Sequence, residues 1–139
     1  MGRQSLVNLS LTLKATTAIT QHRGVGFDGA QASAQGQKVL GVAHFDAVIG
    51  DEVTVDVDDT VLVEAGAAIA IGDALIMDAQ GRAIPSTGEI GVAAGATAVT
   101  SSAANGAILT GGIMPEYVFA DALEAATAAG QIIEVITRR

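Results

Sequence analysis

The chain has 139 residues, a mass of 13.8 kDa and a formal net charge of −8, the size of one compact domain around one core. Seven Lys and Arg are too few for a nucleic-acid surface that works by counterion release, zero Cys excludes disulfides, thiol nucleophiles and Cys-based metal centres, and no apolar run reaches the 18 residues of a membrane helix. The apolar residues are small or aliphatic, 27 Ala and 35 Val, Ile and Leu against four aromatics, so the expected fold is mainly β: a small single-domain β-barrel or β-sandwich over residues 1–139 with short hairpins and long Gly/Ala-rich loops.

The opening segment alternates, with Val7, Leu9, Leu11 and Leu13 on one face and Asn8, Ser10, Thr12 and Lys14 on the other, the period of a half-buried strand. The polar positions break up any secretory h-region, so a cytosolic product is expected. Residues 1–14 have two readings, the domain's own edge strand or an extended arm that adds to a neighbour's sheet. In the second reading Arg3, Val7, Leu9, Leu11, Leu13 and Lys14 are the partner-binding residues.

Residues 16–37 loosen into Gly, Ala, Ser and Gln, a surface connection. Val39 to Phe45 is a strand candidate and residues 46–51 a turn, after which Val53, Val55 and Val57 alternate with Thr54, Asp56 and Asp58. Thr60 to Glu64 is another short strand. Residues 74–78 and 82–85 flank Ala79-Gln80-Gly81, where Gly81 supplies the positive φ of a hairpin. Gly50 precedes Val53 and Val55 at the spacings by which Gly130 precedes Ile133 and Val135. The echo suggests reuse of one supersecondary pattern without a solenoid period. Residues 91–112 are mostly Gly, Ala, Ser and Thr. Local propensity makes 116–129 helical, from Pro115 at a first-turn position, early Glu116 and late Gly130, and Gln131 to Thr137 a strand.

Charge is segregated. Residues 39–81 hold nine carboxylates and no Lys or Arg, which reads as a solvated acidic surface. Asp56, Asp58 and Asp59 sit close together, but a calcium loop starting at Asp56 has Val61 where it needs Gly and no Glu at its twelfth position; the alternation puts Asp56 and Asp58 on a solvent face. Gly24-Val25-Gly26-Phe27-Asp28-Gly29 spells GxGxxG without the preceding buried strand and following helix of a dinucleotide site, so it reads as a Gly-rich turn. His22 and His44, the only imidazoles, lie in no catalytic motif and read as ordinary histidines. The run from Glu64 to Met77 has the rhythm of biotinyl or lipoyl carriers, but no lysine follows Lys38 to carry a cofactor. No metal, cofactor or catalytic residue is expected.

The order Gln37-Lys38-Val39-Leu40-Gly41-Val42-Ala43, Gly50-Asp51-Glu52-Val53-Thr54-Val55, Glu64-Ala65-Gly66-Ala67-Ala68-Ile69, Gly72-Asp73-Ala74-Leu75, Asp78-Ala79-Gln80-Gly81-Arg82-Ala83-Ile84-Pro85 and the closing segment from Ala122 to Val135 resembles the capsid cement, or head-decoration, family of tailed bacteriophages across about residues 12–137. Residues 88–117 are longer than the resemblance leads one to expect. It implies a non-catalytic β-rich barrel or sandwich and a strand, rather than a helix, at 118–124. It also implies a virion protein, made in the host cytoplasm, that binds the outer capsid surface and cements adjacent subunits of the major capsid protein. The implied form is a homo-oligomer, a trimer suited to local threefold junctions or else a dimer, with no direct nucleic-acid or membrane contact. A non-catalytic module of a tail fibre or adhesin is the alternative.

Overall fold

The computed structural model describes residues 4–88, 92, 95–101, 109–112 and 115–138, and every regular element among them is a β-strand. One sheet has the order β1–β4–β3–β2, from β1 (Ser10–Lys14), β2 (Gly24–Val25), β3 (Gly41–Ala43) and β4 (Glu52–Asp56). The second runs β5–β11–β10–β6–β7, from β5 (Thr60–Glu64), β6 (Ala74–Met77), β7 (Ala83–Pro85), β10 (Ala120–Ala122) and β11 (Ile132–Thr137). A separate hairpin pairs β8 (Thr100–Ser101) with β9 (Leu109–Thr110). All ladders are antiparallel and neither sheet closes on itself. Of the two expected architectures, the sandwich is the one that forms.

The two sheets are the same unit built twice. Adding 50 to the numbers of β1 and β2 gives β5 and the start of β6; adding 79 to β3 gives β10, and adding 80 to Glu52–Asp56 of β4 gives residues 132–136 of β11. Pairings follow the offsets: Lys14↔Glu52 becomes Glu64↔Ile132, and Gly24↔Val42 becomes Ala74↔Asp121. So do the loop bridges, since Ile19 and Ala47 exchange backbone hydrogen bonds just as Ile69 and Ala126 do, and Gly50 N–H donates to Ala15 O as Gly130 N–H donates to Ala65 O. The jump from 50 to 79 falls between the second and third strands of the second unit, which places β7 and the long Gly/Ala/Ser/Thr segment there as an insertion. The echo between Gly50 and Gly130 is therefore one edge of a whole duplicated sheet.

Each unit builds a core on one face of its sheet, and the centre of the first sheet is covered on its other face too, where Val42 and Asp56 are buried. Val53, Val55 and Val57 join Ala15, Ile19, Val25, Leu40, Ala43 and Ala47 in the first core. Val61, Val63, Ile133 and Val135 form the second and larger core with Leu75, Met77 and Phe119, and Val39 and Val42 of the first unit join them there. Residues 116–129 contain strand β10 and no helix; Ala120 and Ala122 both point into the core, a period of two that a helix does not supply. The strand expected over Val39 to Phe45 narrows to Gly41–Ala43. Gly41 is the close approach here, because a Cβ built on it would lie 2.1 Å from the Asp56 carbonyl oxygen.

Candidate functional site

β1 is the outer strand of the first sheet, paired with β4 on one side only. Its leucines share the face of the β4 valines, with Leu11 opposite Val55 and Leu13 opposite Val53. Leu13 is half-buried against the core, whereas Leu9 and Leu11 are 44% and 39% exposed and Leu6 stands out further still. In the second unit Val61 and Val63, the matches of Leu11 and Leu13, are fully buried, in the core that Val39 and Val42 enter from the first unit. Hence the same edge is covered in one copy and open in the other. Val7 bridges to Asp59 and packs on the larger core, so it lies apart from the open stripe, and Lys14 is exposed on the opposite face, across from Glu52. Arg3 lies outside the described residues.

The two histidines, which no sequence motif links, line one cleft. It has a volume of about 290 Å³ and is walled by Ser5, Gln21, His22, His44, Asp56 and Leu62. Asp56 is 6% exposed, which corrects its expected place on a solvent face: it shares the inner side of the sheet with Val42, its partner in register. Its Oδ1 accepts a hydrogen bond from Ser10 Oγ at 2.9 Å, and its Oδ2 lies 2.9 Å from His44 Nδ1. In a hydrolytic triad the imidazole stands between hydroxyl and carboxylate. Here the carboxylate stands between the other two, so the imidazole does not reach the serine, and the cluster ties β1 to β4 and to the residue after β3.

His22 has φ +64 at the position where the second unit has Gly72 at φ +87. Its backbone is pinned at both ends, the N–H donating to Ala43 O and the carbonyl accepting from Glu64 N–H. Beside it Arg23 makes a two-pronged bond to Glu64, Nε to Oε2 at 2.8 Å and Nη2 to Oε1 at 3.2 Å, which raises the guanidinium pKa above its ordinary value. That pair joins the two units. A carboxylate and guanidinium matched in this way hold geometry as well as charge.

The remaining acidic residues also serve structure. Asp58 Oδ1 accepts from the Asp59 N–H, and the Asp59 side chain accepts from the Asn8 amide. With Asp56 they turn to different partners. Glu116 gathers the ends of the inserted segment: Ser86 Oγ, Thr87 Oγ1 and the N–H groups of Thr87 and Gly88 all donate to it. Burial pushes its carboxyl pKa up, but the hydroxyls of Thr87 and Ser86 and the two amides outweigh that and hold it below the ordinary value. The GxGxxG hexad is a turn, as the sequence context requires: Gly26 N–H donates to Ala30 O, Asp28 Oδ1 accepts from Ala30 N–H, and Gly29 at φ +77 has no room for a Cβ beside Lys14 O.

Among the described residues, the polar clusters of this duplicated β body brace strands, and the Ser10, Asp56 and His44 trio does not have the order of a hydrolytic triad. The family model of the phage cement protein matches residues 3–137. The chain therefore belongs to the phage cement protein family, non-catalytic proteins associated with the phage capsid. No curated protein sequence matches it. Among solved structures, the N base of head fibre gp8.5 of bacteriophage phi29 is similar at a TM-score of 0.63 and 21% identity, over 94% of this chain and 93% of that one, a likeness of fold.

Proposed function

We propose that the protein binds the outer surface of the assembled capsid and holds adjacent major capsid subunits together, with the open edge of β1 as a contact surface. Membership of the cement family across residues 3–137 carries this reading. The supporting geometry is the asymmetry between the two units, since Leu11 is exposed where Val61, its match, is sealed, and Leu9 lies exposed beside it. An edge strand with free backbone groups and an apolar stripe suits strand addition or side-by-side packing on a shell subunit. The protein acts as a homo-oligomer, a trimer at local threefold junctions, and a dimer is the outcome sedimentation would have to show to replace it. A ligand that binds assembled shell better than free subunits stabilises the shell by that difference.

The test is co-sedimentation with purified shells lacking the protein, beside binding to dissociated capsid subunits. Wild type should saturate shells and bind free subunits at least tenfold more weakly. Leu9→Asp with Leu11→Asp, both at exposed positions, should keep the thermal melt of the free protein and lose shell binding. Equal affinity for shells and subunits would contradict the cement role; normal shell binding by the double variant would remove the β1 edge from it.

A second reading, the base of a capsid-borne fibre, is favoured by the fold likeness to the head-fibre base. A fibre base anchors at the shell without raising the temperature at which the shell opens.

A further inference from the structure

A clamp across two subunits needs a second surface, and the parts of the chain that break the duplication supply one. Strands and bridging turns repeat between the units, whereas the β2–β3 loop of the first unit and the β7–β10 segment of the second do not. These two non-repeating segments meet where Gly36 O accepts from Tyr117 N–H. The loop is also fixed to the β6–β7 hairpin, Gly36 N–H donating to Met77 O and Gln31 Nε2 to Gln80 O. At their junction Lys38 Nζ lies 5.6 Å from the Phe27 ring centroid and 5.4 Å from that of Tyr117, within the range of cation–π attraction.

Phe27 is 58% exposed at the tip of the Gly-rich turn, and that turn is held by its own hydrogen bonds. An aromatic presented on a braced turn loses little freedom on binding, which is the character of an interface anchor. Lys38 is exposed and, on a chain of net charge −8, meets no carboxylate at ion-pair distance among the described residues. The described arginines differ: Arg23, Arg82 and Arg138 pair with Glu64, Asp78 and Asp121 respectively. The two rings frame an unspent cation at the surface of an acidic protein.

We infer that Phe27, Lys38 and Tyr117 form a second docking surface, which takes an acidic patch of the shell protein, the ring of Phe27 packing on it and the Lys38 ammonium meeting a carboxylate. Charge complementarity selects this occupant, because the aromatic-framed lysine attracts an acidic partner that the acidic stretch 39–81 repels. The inference rests on the capsid-binding reading and extends it to a two-point grip, in which the two contacts add through effective concentration.

The experiment is a binding isotherm of full-length protein on shells lacking it, at two salt concentrations, for wild type, Phe27→Ala, Lys38→Arg, Lys38→Ala and Lys38→Glu, with thermal melts of each free protein. Phe27→Ala should weaken binding about tenfold, Lys38→Glu further, and Lys38→Arg should bind almost as wild type. Lys38→Ala should also flatten the salt dependence. Wild-type binding with Phe27→Ala and Lys38→Glu within twofold of it would overturn the second surface and leave the cement reading standing. Loss with Phe27→Ala but none with Lys38→Glu, and an unchanged salt dependence, would overturn the acidic partner and point to an uncharged ligand such as a glycan. Failure of wild type to bind shells at all would remove both readings.

Discussion

The first unit, residues 10–57, and the second, residues 60–137, share a strand order and a bridging pattern, yet differ in what fills them. Position by position, Asp56 stands where the second unit has Ile136, His44 where it has Leu123, and His22 where it has Gly72. Gly41 stands where it has Ala120. The second unit has the larger core and seals its edge strand, whereas the first has the polar cleft and leaves β1 open. Duplication lets the first copy carry an open apolar edge and a non-glycine residue at positive φ where the second has a sealed edge and Gly72, features that weaken an isolated sheet. Divergence between copies thus marks where contact with something else is expected.

Making the copies more alike tests this comparison. Gly41→Ala gives the first unit the residue of the second, but the new methyl meets a main-chain carbonyl 2.1 Å away. It should destabilise the protein by about 1–3 kcal/mol in urea unfolding; a neutral result would show that the β3–β4 approach relaxes as the other copy does. At the turn, Gly72→His imposes the left-handed conformation of His22 on a side chain and should cost about 1–2 kcal/mol. The reverse change, His22→Gly, should shift stability by less than about 1 kcal/mol, because relief of strain is offset by the freer unfolded chain. A large loss in His22→Gly would mean that its imidazole, and not the backbone pinning, holds the cleft.

The smallest effect concerns the insertion, the one part of the second unit with no counterpart. The Glu116 carboxyl is held below its ordinary value in the folded protein. Its contribution is therefore complete above the unfolded carboxyl value of about 4.3 and is lost as pH falls through the lower folded value. Amide exchange at Thr87 and Gly88, which donate to it, should quicken as pH drops below that range after correction for intrinsic rates. Glu116→Gln should remove the pH dependence.

Much of the scaffold was legible in the sequence. The alternation at Val53, Val55 and Val57, the short β-branched run from Thr60 to Glu64, and the Gly81 hairpin each gave a strand or turn near its observed place, because strand composition, period two and positive φ are local signals. The duplication showed only through Gly50 and Gly130, since an insertion shifts its later half and the matched pairs are mostly small aliphatics. Ala15/Ala65, Ile19/Ile69 and Ala47/Ala126 are identical, but such residues recur throughout this composition. The cleft was not legible, because His22 and His44 meet through a backbone hydrogen bond from His22 to Ala43, and tertiary pairing leaves no mark at 22 residues' separation. Asp56 was misplaced for a related reason: alternation assigns a face, but it does not say that both faces of β4 are covered. The Phe27–Lys38–Tyr117 group joins residues 90 positions apart and had no sequence signal beyond the Gly-rich turn that presents Phe27.

The most direct measurement is the temperature at which DNA-filled particles release their genome, compared for particles saturated with the protein and particles lacking it. A cement that binds the assembled shell in preference to its parts raises that temperature, and does so progressively with occupancy. Equal release temperatures at saturating occupancy would contradict the cementing role and leave the protein as an attachment base.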